Sequence, residues 1–254
     1  MPMTKQKHFY LFRGLIREAE HWGDFPKDLQ ASNPGSKFTT IDIPGAGVFF
    51  KNPSPLSVKK MVEKMRQIYL ENQNPDEEKV LIAISLGGMI AGQWLKDYSE
   101  DFDKAVLVNT SYGGYSKIFE RIKPEALLYL LKVPTLKGRA KEAHILRLVS
   151  NHKNVFDKTL NLWEKIQKER PVSLPNTIRQ LTAGGLFRIG NFIPKLPVLI
   201  LAGTQDRMVS VNCSRSIAKR WNAPIIEHPT AGHDLTSDDP KWMIEKINSF
   251  VSTN

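Results

Sequence analysis

The 254-residue chain contains one cysteine, Cys213. A single thiol excludes an internal disulfide framework and any multi-cysteine metal site. Nowhere does an apolar run approach the ~20 residues that a membrane-spanning helix needs. The opening MPMTKQKHFYLF lacks the plan of a secretory signal, because its apolar run is short and leads straight into Arg13-Gly14. Internal repeats and low-complexity tracts are also missing. These absences lead to the expectation of a soluble cytoplasmic protein. Acidic residues are in deficit: 36 Lys/Arg stand against 26 Asp/Glu, a formal net charge of +10. Hydrophobic residues make up 41% of the chain, enough for one large core.

The positive excess is unevenly placed. Residues 112–175 hold 13 Lys/Arg against 6 Asp/Glu, and the remainder is nearly balanced. Such a surface suits nucleic acid, anionic lipid or acidic small molecules. No nucleic-acid recognition motif accompanies it, so the segment is read as a basic lid and no nucleic-acid partner is expected. Lys137, Arg139 and Lys141 are candidates for attracting a substrate with an anionic carrier or far end.

Short apolar runs alternate with helical patterns along most of the chain. HFYLF (8–12), KFTTIDI (37–43), KVLIAI (79–84), KAVLVN (104–109), PVLILAG (197–203) and PIIEH (224–228) read as strands. The continuous apolar runs fit parallel strands covered on both faces. Val58, Val62, Met65 and Tyr69 follow a helical period that Ser57 is placed to cap. Further helices are expected over LGGMIAGQWLKDY, around 210–221, and from Lys241 to Val251. This alternation predicts a mostly parallel, doubly wound α/β sheet. Segment 112–175 breaks the pattern with three or four helices and no strand. It is expected to form a helical cap inserted between two strands, leaving 1–111 and 176–254 as the core.

The stretch VLIAISLGGMIAGQW places Ser85 where a buried strand gives way to a helix. Small residues on either side (Ala83, Gly87 and Gly88) suit a turn so tight that its central residue is strained. The helix opening at Leu86 aims free N–H groups and a positive dipole end at the same point. A nucleophilic serine needs a base and an acid to orient that base. His233, in TAGHD after the last strand, is the best placed of six histidines. His8 and His228 fall within strand runs, and His144 and His152 fall in the helical segment. Asp206 follows PVLILAG at a strand's carboxyl end, where open α/β sheets build their sites. Asp238 and Asp239 are alternative acids but follow the histidine, and Asn109 cannot serve as one. Cys213 lies on a helix without a comparable turn and is read as a small buried residue.

Taken together these segments resemble the α/β-hydrolase superfamily over essentially the whole chain. The order Ser85, Asp206, His233 is the order of that fold. IDIPGAG, LILAGTQDRMV and AGHDL resemble its turn, acid and histidine segments, and FRGLIREAEHWGDF resembles its oxyanion loop. The resemblance implies an α/β-hydrolase fold with a helical cap and an oxyanion hole from the N–H groups of Leu15 and Leu86. Two departures stand out: Arg13 replaces the usual histidine and Ala83 the usual glycine. Arg13 could face an anionic substrate or brace its loop, and Arg13 and Trp22 are the candidate pocket residues. The expected activity is hydrolysis of a carboxylic ester or thioester through an acyl-enzyme, with no metal or organic cofactor. An inactive, ligand-binding member of the superfamily is the alternative.

Overall fold

The computed structural model describes residues 5–152 and 156–252. Six strands, β1 (Lys7–Phe12), β2 (Lys37–Thr40), β3 (Glu78–Ile84), β4 (Lys104–Val108), β5 (Val198–Gly203) and β6 (Ile225–His228), form one sheet in the order β2-β1-β3-β4-β5-β6. Every pairing is parallel. Each strand therefore delivers its carboxyl end to the same edge, where loops can converge. This is the α/β-hydrolase fold, with its doubly wound sheet.

Period-two alternation sorts the strand side chains between two cores. Tyr10, Phe12, Leu81, Ala83, Leu107 and Ile200 pack with α2 (Val58–Asn72), α3 (Leu86–Asp97) and α9 (Val211–Trp221). Phe9, Leu11, Val80, Ile82, Val108 and Leu201 pack with α1 (Phe25–Ser32) and α11 (Pro240–Val251) on the opposite face. Ser57 caps α2 as its sequence suggests, its hydroxyl accepting from the Lys60 N–H at 3.3 Å. Cys213 is buried on α9, and burial pushes its thiol up to about 11.

Two stretches before β3 depart from the sequence reading. The second strand stops at Thr40 rather than Ile43. Beyond it the Asp42 carboxylate accepts the Ala19 and Val48 N–H groups at 2.7 and 3.0 Å, so the chain turns to serve that carboxylate. Gly47 is obligatory in this turn: its φ is +54°, and a Cβ there would overlap Asp42. Helix α1 falls where no helix was expected, since it is short and opens on Phe25-Pro26.

Between β4 and β5 run α4 (Ile118–Arg121), α5 (Pro124–Leu130), α6 (Gly138–Val149), α7 (Phe156–Glu169) and α8 (Leu174–Leu186). Helices α5, α6 and α7 share a small core around Ala126, Leu146, Leu160 and Trp163. The short α10 (Leu235–Asp238) precedes α11. No helix among the described residues is long and apolar enough to cross a membrane.

The crossing of α3 over β1 brings main chain close together near the sheet edge. A Cβ at Gly87 would lie 2.5 Å from the Arg13 carbonyl oxygen and 2.7 Å from that of Phe12. Both obstacles are main chain and cannot swing aside. Gly87→Ala should therefore destabilise the protein by about 3 kcal/mol or more in urea unfolding. By contrast Gly185, which has nothing within 4 Å of its would-be Cβ, should tolerate alanine and gain up to about 1 kcal/mol.

Candidate functional site

Strands β1 and β3 are neighbours, so the turns that follow them meet at the sheet edge. Ser85 sits between β3 and α3 at φ 56°, ψ −118°, a strained backbone for a residue with a side chain. Its N–H donates to the Val108 carbonyl at 2.9 Å, and its own carbonyl accepts the Thr110 hydroxyl at 2.7 Å. Both anchors come from β4 and its extension. They hold the strained turn from the side opposite the loop after β1.

That loop passes directly over the serine: a Cβ on Gly14 would stand 3.1 Å from the Ser85 Cβ. Ile16 in the same loop adopts φ 52°, and its N–H donates to Gln180 Oε1 of α8 at 2.9 Å. Among the described residues, the Leu15 and Leu86 N–H groups donate no hydrogen bond. Leu86 directly follows Ser85, and Leu15 follows the Gly14 that packs on it.

The Ser85 hydroxyl donates to His233 Nε2 at 3.0 Å, and His233 Nδ1 donates to Asp206 Oδ2 at 2.6 Å. All three residues are buried. The other oxygen of Asp206 accepts the Met208 and Val209 N–H groups at 2.7 and 2.9 Å, which fixes the carboxylate. Burial acts to lower the His233 pKa. The charge and hydrogen bond of Asp206, helped by Asp234 and opposed by Arg13, outweigh it and raise the value above that of a free imidazole. A hydroxyl bonded to a carboxylate-oriented imidazole can surrender its proton as it attacks an electrophile. The free amides can hold the negative charge that develops.

The histidine loop is held by residues that no local pattern reveals. Asn109, at φ 46°, donates through Nδ2 to the carbonyls of Gly232 and His233 at 3.1 and 2.8 Å. Its Oδ1 accepts the Gly203 N–H at 2.9 Å, so one amide ties β4 to both the acid loop and the histidine loop. Asp238 gathers the Gly232 N–H at 2.6 Å together with the Ser150 hydroxyl and the Asn151 N–H at the end of α6. It contacts neither His233 nor Ser85, and Asp239 bonds His228 instead.

Of the two candidate pocket residues, Trp22 requires correction. Trp22 is buried against Phe25 and lines neither cavity at the site. Arg13 borders the larger cavity, yet its guanidinium donates to Asp234 at 2.6 and 3.4 Å and to Thr236 at 2.9 Å, and it lies over the Trp22 ring. Arginine at this position braces the histidine loop. The aromatic ring that followed it in sequence supports that brace instead of touching the cavity.

Two cavities meet at Ser85. The larger, about 570 Å³, is walled by apolar residues of α5, α6 and α8 and also reached by His233. The smaller, about 140 Å³, lies toward Met89, Ser111 and Arg121. Leu127, Leu131, Leu174 and Ile178 are exposed as well as cavity-lining, and so mark the mouth. Helix α8 lies almost wholly outside the cap boundary expected at residue 175, yet it supplies Gln180 and part of this wall. Its paired Gly184-Gly185 hid it from the sequence reading. No group of three or more His, Cys, Asp or Glu among the described residues could hold a metal ion.

The fold and this constellation define a member of the α/β-hydrolase superfamily. More narrowly, residues 5–240 match the family model Hydrolase_4, described as serine aminopeptidase, S33, and the chain belongs to that family. Epoxide hydrolase 1 of Caenorhabditis elegans is 25% identical over 204 residues, covering 69% of this chain and 48% of that protein. Polyneuridine aldehyde esterase of Rauvolfia serpentina is 30% identical over 109 residues, 41% of this chain and 39% of the esterase. The matches thus span half or less of these relatives. The crystal structure of the esterase RhEst1 from Rhodococcus sp. ECU1013 superposes with a TM-score of 0.78 at 15% identity, covering 98% of this chain and 91% of the other.

Two measurements follow from the electrostatics. In NMR, the His233 ring should titrate above the usual 6.5, and Asp206→Asn should drop it below that value by removing the largest contribution that opposes burial. Arg13→Met should cost about 3–5 kcal/mol in denaturant unfolding, because it strands the buried Asp234 carboxylate. Asp234→Asn, which leaves the buried Arg13 guanidinium without its counter-charge, should cost a comparable amount.

Proposed function

We propose that the protein is a serine hydrolase that cleaves a carboxylic ester or thioester. The observation that carries this reading is the continuous hydrogen-bond path from the Ser85 hydroxyl through His233 to Asp206. In the proposed mechanism Ser85 Oγ attacks the acyl carbon while His233 Nε2 takes its proton. Asp206 holds the imidazole and offsets its positive charge. The Leu15 and Leu86 N–H groups donate to the oxyanion. Collapse of the tetrahedral species expels the leaving group, which receives the proton from His233. Water then repeats the sequence on the acyl-enzyme and frees Ser85. The helices between β4 and β5 serve as the cap over this chemistry. Arg121 projects toward the smaller cavity, which suits the shorter portion of the substrate.

The walls favour esters over peptides with a free amino terminus. Recognition of an ammonium group needs an uncompensated carboxylate. The carboxylate bordering the large cavity, Asp234, is already neutralised by Arg13. Apolar walls suit an acyl chain instead.

Ser85→Ala and His233→Ala should each reduce p-nitrophenyl ester turnover at least about a thousand-fold, with the double variant little worse, because these groups act as a unit. Wild type, but not Ser85→Ala, should be labelled by a fluorophosphonate. Turnover should be lost as pH falls through the raised His233 pKa, since the imidazolium cannot accept a proton. Full activity in Ser85→Ala, or a rate flat from acid to alkaline pH with chemistry limiting, overturns the mechanism.

A further inference from the structure

The three cations singled out on the helical segment do not behave alike. Arg139 is exposed and paired with Glu164 on α7 at 2.9 Å, and Lys137 is exposed at the start of α6. Lys141 is half-buried and lines the same large cavity as Ser85 and His233. It occupies the apolar face of α6, in line with Ile145, Leu148 and Val149, which also border the cavity. This 141, 145, 148, 149 spacing is one helical stripe. A lysine kept for solubility belongs on the opposite face, where Arg147 is exposed.

The charges around the cavity pair off except at this point. Arg13 is matched by Asp234, and Arg17 by Glu142 at 2.9 Å. Among the described residues, Lys141 Nζ has no hydrogen-bonding or ion-pair partner on another side chain. Glu142 is its chain neighbour, but adjacent residues on a helix do not face each other. Arg17 also lines the cavity, and its Nη2 is buried without a hydrogen-bond partner. Burial lowers the pKa of Lys141, partly offset by Glu142 and reinforced by Arg17, so an entering anion would relieve two cations at once.

We propose that the large cavity receives an acyl chain whose far end is a carboxylate, bound by Lys141 with Arg17 beside it. The proposal rests on Ser85 being the nucleophile and names the substrate class of that site. Length follows from α6. The Val149 carbonyl accepts the Asp234 N–H at 2.9 Å, which pins that end of the helix beside His233. Lys141 lies eight residues earlier, about 12 Å along the axis at 1.5 Å per residue. Helical side chains lean toward the N-terminus, which carries the ammonium farther from the serine. An apolar chain of medium length spans this distance, with its reacting carbonyl at one end and its anion at the other. The single uncompensated charge matches a carboxylate better than a doubly charged phosphate.

The test compares p-nitrophenyl half-esters of straight-chain dicarboxylic acids with neutral p-nitrophenyl esters of equal chain length. Lys141→Met should lower kcat/KM at least tenfold for the ω-carboxylate series at its best length, and change the neutral series by less than about twofold. Lys141→Glu should widen the gap. Added salt should erode the preference only weakly, because the subsite is sheltered. Equal responses of both series to Lys141→Met, or a preference abolished by salt and indifferent to Lys141, overturns the proposal. Failure of the serine reading is separately visible as neutral-ester turnover that survives Ser85→Ala or never occurs. In that event, displacement of a fluorescent fatty acid by the dicarboxylate half-methyl esters, in wild type and Lys141→Met, decides whether the anion subsite exists. Loss of affinity in the variant upholds it, and unchanged affinity refutes it.

Discussion

The tight turn at Ser85 is the constraint on which the rest of the site depends. A residue with a side chain is held at positive φ between a strand and a helix, and such a conformation persists only where its surroundings over-determine it. Here the surroundings are mostly main chain. Val108 and Thr110 hold the turn from β4, the Phe12 and Arg13 carbonyls crowd Gly87, and Gly14 passes over the serine itself. The absence of side chains at 14 and 87 is therefore a condition for the loop after β1 to reach the same point as the loop after β3, and its absence at 88 leaves room for Thr110.

Around this turn the structure uses buried polar groups to join loops that lie far apart in the chain. Asn109 links three of them with one amide. Asp238 links the histidine loop to α6, and Gln180 links α8 to the loop after β1. Most of these bonds go to main-chain partners, which makes the arrangement directional in a way that apolar packing is not. Arg13 extends the same logic with charge: it neutralises Asp234 one residue from His233 and so keeps a second anion from competing with Asp206.

Much of this was legible in the sequence, and the boundary has a physical cause. All six strands and the helices α2, α3, α9 and α11 announce themselves through local apolar periodicity and caps. Ser85, Asp206 and His233 were legible because each sits at the end of a strand within a short, recognisable segment. The tasks of Asn109, Gln180 and Asp238 were not, because each is defined by partners nearly ninety residues or more away, with Asp238's bond to Gly232 the one short-range exception. Trp22 was assigned to the pocket on sequence position alone, and its place under the Arg13 guanidinium is a tertiary fact. Arg13, read either as a pocket residue or as a loop brace, borders the cavity and braces the histidine loop as well. Helix α8 escaped notice because glycines 184 and 185 suggest a loop, whereas Gly184 packs close to Leu86, where a Cβ would stand 3.3 Å from its Cδ1.

The two ends of α6 have different mechanical standing. Its C-terminal end is bolted to the histidine loop through Val149 and Asp238, and to the acid loop where Arg207 bonds the Ser150 carbonyl at 2.7 Å. The stretch from α5 to the start of α6 is tied to the acid loop only where it begins, through Lys123 just before α5, and among the described residues its leucines beyond that point are half in solvent. Mutations there can reshape the mouth and the outer wall of the cavity without disturbing the geometry at Ser85. The molecule thus separates the elements that shape the cavity mouth from those that fix the turn at Ser85, so that one can change without loosening the other.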